Sequence, residues 1–207
     1  NQMNIRTSAL VLLSVLFLAG CNLETVTVQI PPEVDLRGAG VKSVAVVVAD
    51  LPNDPAPVGV LLRSETSTRI RELLPTLALV ETPQTADAVL QMNVANHGVG
   101  PARFQTRAPD QQGGQPSCEA WQEAFLLVDV SVLTKGNSSP RWQGALEKRD
   151  RIDLSCTLFF GPVGVVSSPA VSDPALVSAI VQDLGRRLAG YTRQEMRPRQ
   201  TSPPVSP

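Results

Sequence analysis

Ala124, Leu126, Val128, Val130 and Val132 alternate with Phe125, Leu127, Asp129 and Ser131. After Lys135-Gly136-Asn137-Ser138-Ser139, Trp142, Gly144 and Leu146 alternate with Gln143, Ala145 and Glu147. A period of two marks a half-buried strand, and the Gly-Asn centre marks a turn. Residues equidistant from Asn137 should then face one another. Val132 meets Trp142, Val130 meets Gly144 and Val128 meets Leu146 on an apolar face. Ser131 meets Gln143 and Leu127 meets Glu147 on the other, largely polar face. A slip of one residue would invert both faces, so the register is tightly specified.

The same rule predicts the cysteines. Cys118 and Cys156 lie equally far from Asn137, at the open ends of the hairpin. In an exported protein such a pair reads as a disulfide. The loop it closes gives it a contribution of roughly 3 to 4 kcal/mol in the chain-entropy model. Neither a CxxC spacing nor an adjacent His favours a redox or metal pair.

The remaining elements complete an α+β reading. Val41 to Val48 is a β-branched run suited to a strand covered on both faces. Pro57 to Leu74 places Leu62, Thr66, Ile70, Leu73 and Leu74 on one helical face, and Pro75 ends it. Leu77 to Val80 reads as a short strand. A further strand puts Ala88, Leu90, Met92 and Val94 on one side. Residues 96–117, rich in Gly, Pro and Gln, read as a long loop of the kind that carries function. Asp173-Pro174 opens a closing helix whose face holds Leu176, Val177, Ile180, Leu184, Leu188 and Tyr191. The expected architecture is a mixed, mostly antiparallel sheet with two helices packed on one face. It spans residues 41–192, and residues 193–207 read as a disordered, Pro-rich tail.

The N-terminus carries an address. Ala9 to Ala19 is an apolar run preceded by Arg6, too short to span a bilayer as a helix and suited to a signal peptide over residues 1–20. It ends in Leu18-Ala19-Gly20-Cys21, which resembles a bacterial lipobox. In that family the Cys thiol takes a diacylglycerol, the chain is cut before it, and the new amine is acylated, usually with palmitate. Cys21 would thus begin the mature chain, with residues 21–40 as a lipidated tether. Asn22 replaces the Asp that retains such proteins at the inner membrane, which points to the outer one.

Chemistry is sparse. Eighteen Lys and Arg stand against nineteen Asp and Glu, which leaves no electrostatic footprint for nucleic acid. P-loop, GxGxxG, GxSxG, HExxH and EF-hand spacings are absent from the sequence. No catalytic residue, metal ligand or cofactor is expected. His97 is the single histidine. As a base among nearby carboxylates it supports an alternative reading, a small-ligand-binding protein or hydrolase. Asp87, Asp129, Glu147, Asp150 and Asp153 lie in or near strands. The run Glu147 to Arg151 alternates in sign, as a solvated strand end does. Arg103 and Phe104 in the loop, and Phe159 and Phe160 after Cys156, are candidate partner contacts.

The order of elements behind the lipobox, with Val41-Lys42-Ser43-Val44-Ala45-Val46 and Thr85-Ala86-Asp87-Ala88-Val89-Leu90, resembles a group of small outer-membrane lipoproteins. These serve lipopolysaccharide assembly and curli or polysaccharide secretion. The resemblance implies a lipid-anchored, non-catalytic protein at the periplasmic face of the outer membrane, helping to assemble or export envelope polymers. It further implies a protein partner in the envelope, or self-assembly as in some secretion lipoproteins. The aromatic-rich start of the lipopolysaccharide-assembly member is missing after Cys21, and a disulfide is not one of its hallmarks.

Overall fold

The computed structural model describes residues 23–52, 54, 57–107, 117–157, 164–166 and 173–198, and of 23, 107, 117, 155–157 and 164–166 the backbone alone. The chain divides into two compact units, one of residues Pro32–Ala189 and one of the residues before and after it.

The smaller unit is a ribbon. Strand β1 (Leu23–Ile30) pairs antiparallel with the last strand (Tyr191–Pro198), from Leu23 opposite Pro198 to Ile30 opposite Tyr191. Val26 and Val28 share a face with Glu195 and Arg193. The Arg193 and Arg197 guanidiniums both bind the Glu195 carboxylate. Those contacts, Arg193 first, hold the carboxyl below its ordinary range. This pairing makes strand of residues 23–30 of the expected lipidated tether and of residues 193–198 of the expected disordered tail, whose residues 199–207 lie outside the described residues. Thr25-Val26-Thr27-Val28 and Tyr191-Thr192-Arg193 are both good strand formers. Thr25 to Ile30 reads as a short β-like stretch from the sequence alone, but its partner strand lies far away in sequence.

The larger unit holds a seven-stranded sheet. In chain order come β2 (Ser43–Ala49), α1 (Gly59–Leu73), β3 (Ala78–Leu79), a 3-10 turn at Pro83–Thr85, β4 (Ala88–Val99) and β5 (Arg103–Arg107). Then follow β6 (Ser117–Thr134), β7 (Trp142–Thr157), β8 (Gly164–Val166) and α2 (Asp173–Ala189); the ribbon strand Tyr191–Pro198 is β9. Across the sheet the order is β3-β2-β4-β6-β7-β8, with β5 also on β6. The β2 pairings with β3 and β4 are parallel and the others antiparallel.

The long hairpin has the expected register throughout. Val132 faces Trp142, Val130 faces Gly144, Val128 faces Leu146, and the ladder continues to Ala120 opposite Leu154. Val128, Val130, Val132 and Leu146 are all buried, joined by Val44 and Val46 from β2 and Leu90, Met92 and Val94 from β4. Both helices cover this face. Leu62, Thr66 and Ile70 on α1 and Leu176, Val177, Ile180, Leu184 and Leu188 on α2 are buried against it. The α+β arrangement is therefore as the alternation implies.

Three boundaries differ from expectation. The compact unit begins at Pro32 because Val34 and Leu36 are buried in the core and the Glu33 N–H donates to the Arg187 carbonyl at 2.8 Å. The closing helix stops at Ala189. Gly190 takes a positive φ of 73°, a conformation glycine adopts without penalty, and Tyr191 starts β9 instead of extending the helix face. Finally, much of the expected loop over 96–117 is strand. β4 runs on to Val99, and β5 pairs Arg103 with Trp121 and Phe104 with Ala120. Its polar composition reflects an edge position, where only one side needs a partner strand.

Candidate functional site

The pairing of β4 with β6 contains one irregularity. Val94 faces Val128, but Asn96 faces Leu127, so Ala95 is an extra residue. A bulge of this kind reverses which face the following side chains occupy. Without it His97 would follow Asn93 onto the face away from the helices. With it, His97 lies opposite the fully buried Leu126, on the helix-covered face. A loop histidine was the expectation; the residue is instead held in a strand.

Two carboxylates close on the ring. Asp54, from the segment after β2, places Oδ2 at 3.2 Å from His97 Nδ1. Asp173, the first residue of α2, places Oδ1 at 3.1 Å from Nε2. The side chains of His97 and Asp54 are 6% and 8% exposed, and that of Asp173 is 30% exposed. An imidazole bearing hydrogen on both nitrogens satisfies both carboxylates, whereas one bearing a single hydrogen turns a lone pair toward one of them. The three residues tie together the segment after β2, the end of β4 and the start of α2. Both ring nitrogens are engaged in this task.

Sequence reasoning singled out His97 but missed both partners. Asp54 reads as part of a turn, Asp-Leu-Pro-Asn-Asp-Pro, and Asp173 as a helix cap. The break in alternation after Val94 was the one available signal, since the apolar positions stop matching a period of two there.

The other carboxylates do separate work. Asp87 accepts the N–H groups of Lys42 and Ser43, both at 3.0 Å, and these bonds, Lys42 first, lower its pKa. Glu147 binds Arg149 at 2.7 Å, with that contact raising the arginine, and Asp153 binds Arg151 at 2.8 Å. Arg151 also lies over the Trp121 ring at 4.6 Å. Asp129 is exposed on the face opposite the helices. Among the described residues no group of three or more His, Cys, Asp or Glu is placed to hold a metal ion.

Of the expected contact residues, Phe104 stands on β5, 60% exposed, and Arg103 lies 3.8 Å from Glu123. Cys118 pairs with Thr106 of β5, and Cys156 with Val165 of β8. Each lies two residues beyond the Ala120–Leu154 pair that ends the β6–β7 register. Cys21, Phe159 and Phe160 lie outside the described residues.

No protein-family model matches the chain, and no curated protein matches it in sequence. Solved structures do. The PelC dodecamer from Paraburkholderia phytofirmans aligns with a TM-score of 0.41 at 16% identity, over 80% of this chain and 98% of that one. Lipoprotein GNA1162 from Neisseria meningitidis aligns with a TM-score of 0.38 at 14% identity, over 70% and 98%. A minor lipoprotein from Acinetobacter baumannii aligns with a TM-score of 0.38 at 8% identity, over 72% and 90%.

Proposed function

We propose that the chain is a lipid-anchored, non-catalytic lipoprotein of the bacterial outer membrane, held at its periplasmic face, where it scaffolds the assembly or export of envelope polymers. The observation that carries this is the position of Cys21. The lipobox Leu18-Ala19-Gly20-Cys21 ends two residues before β1 begins at Leu23. Acyl chains on Cys21 are thus attached next to the Leu23–Pro198 end of the ribbon, while the Ile30–Tyr191 end carries the two connections to the larger unit. Eight paired residues on each strand give that ribbon a length of about 27 Å, at about 3.4 Å per residue. Among the described residues no helix is long and apolar enough to cross a membrane.

Multiple acyl chains make a stable anchor. Confinement to a surface raises the effective concentration of the domain near membrane partners without any new contact. Phe104 and Arg103 on β5, with Phe159 and Phe160, supply contact. The engagement of both His97 nitrogens weighs against the hydrolase alternative.

A photoreactive residue in place of Phe104, in the lipidated protein within intact envelopes, tests the scaffold. An adduct with an outer-membrane barrel or an export component is expected. An adduct with a second copy alone would assign self-assembly instead. A small-molecule adduct without any protein would contradict the reading.

A further inference from the structure

Strand β2 is unevenly paired. Toward β4 its ladder runs from Val44 to Ala49, but toward β3 it covers Ser43 and Val44 only. The Val80 N–H donates to the Val44 carbonyl at 3.0 Å on the β3 side. Backbone groups along a strand alternate in direction, so those of Val46 and Val48 turn the same way as those of Val44. No described strand meets them there.

Helix α1 borders this gap. Asp50, just past the end of β2, accepts the Gly59 N–H at 2.7 Å, so the helix starts beside the strand's C-terminal end and runs back along it. Between helix and strand edge lies an open groove of about 620 Å³, lined by Val46, Val60, Arg63, Ser67, Arg71 and Leu79 among others. Val60 is 82% exposed. Arg63 and Arg71 are exposed, and neither is joined to a carboxylate by an ion pair among the described residues. They are eight residues apart, about 12 Å along the helix axis. Glu81 sits at the β3 end of the groove.

A groove between a helix and an incompletely paired strand is the geometry of strand addition, in which main-chain bonds give affinity and flanking side chains give selectivity. We infer that the β2 edge from Val46 to Val48 receives an extended, acidic segment of a partner protein. The segment continues the line of β3, and its carboxylates meet Arg63 and Arg71. The chain's own C-terminal residues do not match that charge, since residues 199–207 contain Arg199 and no Asp or Glu. The inference goes beyond the anchor and needs nothing from Cys21, so either can fail without the other.

Amide hydrogen exchange on the full lipidated protein in detergent tests it, with a capped eight-residue peptide alternating Val and Glu as probe. Exchange at Val46 and Val48 is expected to slow at least ten-fold. That protection should weaken as salt approaches about 1 M, where charges are screened within about 3 Å. It should vanish in the Arg63→Glu/Arg71→Glu variant, whose altered side chains are exposed. A peptide N-methylated at alternate residues, or carrying Lys for Glu, should not protect. Unchanged exchange at saturating peptide overturns the proposal, as does equal protection by the N-methylated form. Protection that rises with protein concentration and needs no peptide would make the occupant a second copy and overturn it too.

Discussion

Ser43 and Asp87 hold each other reciprocally: the Asp87 carboxylate accepts the Ser43 N–H at 3.0 Å, and the Ser43 hydroxyl oxygen accepts the Asp87 N–H at 2.9 Å. The same carboxylate oxygen takes the Lys42 N–H at 3.0 Å. These bonds lock the starts of β2 and β4, which enter the sheet side by side with Val44 opposite Ala88.

Asp87→Ala leaves two N–H groups to water and is expected to lower the unfolding midpoint at neutral pH. The folded pKa lies below the ordinary value near 3.8. The ionised carboxylate therefore contributes stability above that value, and the contribution is lost as pH falls through the folded pKa. Thermal melts of wild type and variant should differ at pH 7 and converge only once the pH has fallen below the folded pKa, itself below 3.8. A difference that persists unchanged into acid would mean the carboxylate is not the clamp.

His97→Ala removes the ring that bridges Asp54, whose side chain is only 8% exposed, and Asp173. Loss of hydrogen bonds to charged groups costs about 1.5 to 3 kcal/mol. A double-mutant cycle with Asp54→Asn should return a coupling of at least about 0.5 kcal/mol by denaturant unfolding. Additive losses would show that the clasp contributes nothing of its own.

Gly185 sets how closely α1 and α2 approach. A Cβ there would meet the Leu73 Cδ1 at 2.8 Å and the Arg69 Nε at 3.3 Å. Both are ends of flexible side chains, so Gly185→Ala should be near neutral, helped by the better helix propensity of Ala. Gly185→Leu must separate the helices and should cost roughly 1 to 3 kcal/mol. Equal melting temperatures for the two variants would contradict this packing.

For the cysteines, Cys118→Ser and Cys156→Ser should each destabilise by roughly 3 kcal/mol, and the double variant no further. The oxidised wild type should weigh two hydrogens less than its reduced form. Two free thiols in protein from an oxidising compartment would remove the cross-link from the account.

Much of the larger unit is legible in the sequence because its strands are two-faced. The alternation around Asn137 predicts every pair from Val132–Trp142 to Val128–Leu146, and the spacing of Leu62, Thr66 and Ile70 predicts the buried face of α1. What escapes depends on distant partners. Pairing of β1 with β9 joins segments far apart in sequence, so the β-like stretch from Thr25 to Ile30 does not by itself reveal its partner. The His97 clasp needs a bulge at Ala95, which changes the face of one side chain without changing composition, and a carboxylate 76 residues away. Short-range pattern contains neither fact.

The proposed lipid anchor is Cys21. Mass spectrometry of the mature N-terminus, on protein extracted from bacterial membranes, tests it directly. The prediction is a chain that begins at Cys21, bearing a thioether-linked diacylglycerol and an acylated amine, and that leaves the membrane fraction in the Cys21→Ser variant. An unmodified Cys21, or a chain that still begins before it, would contradict the lipid anchor and the scaffold built on it.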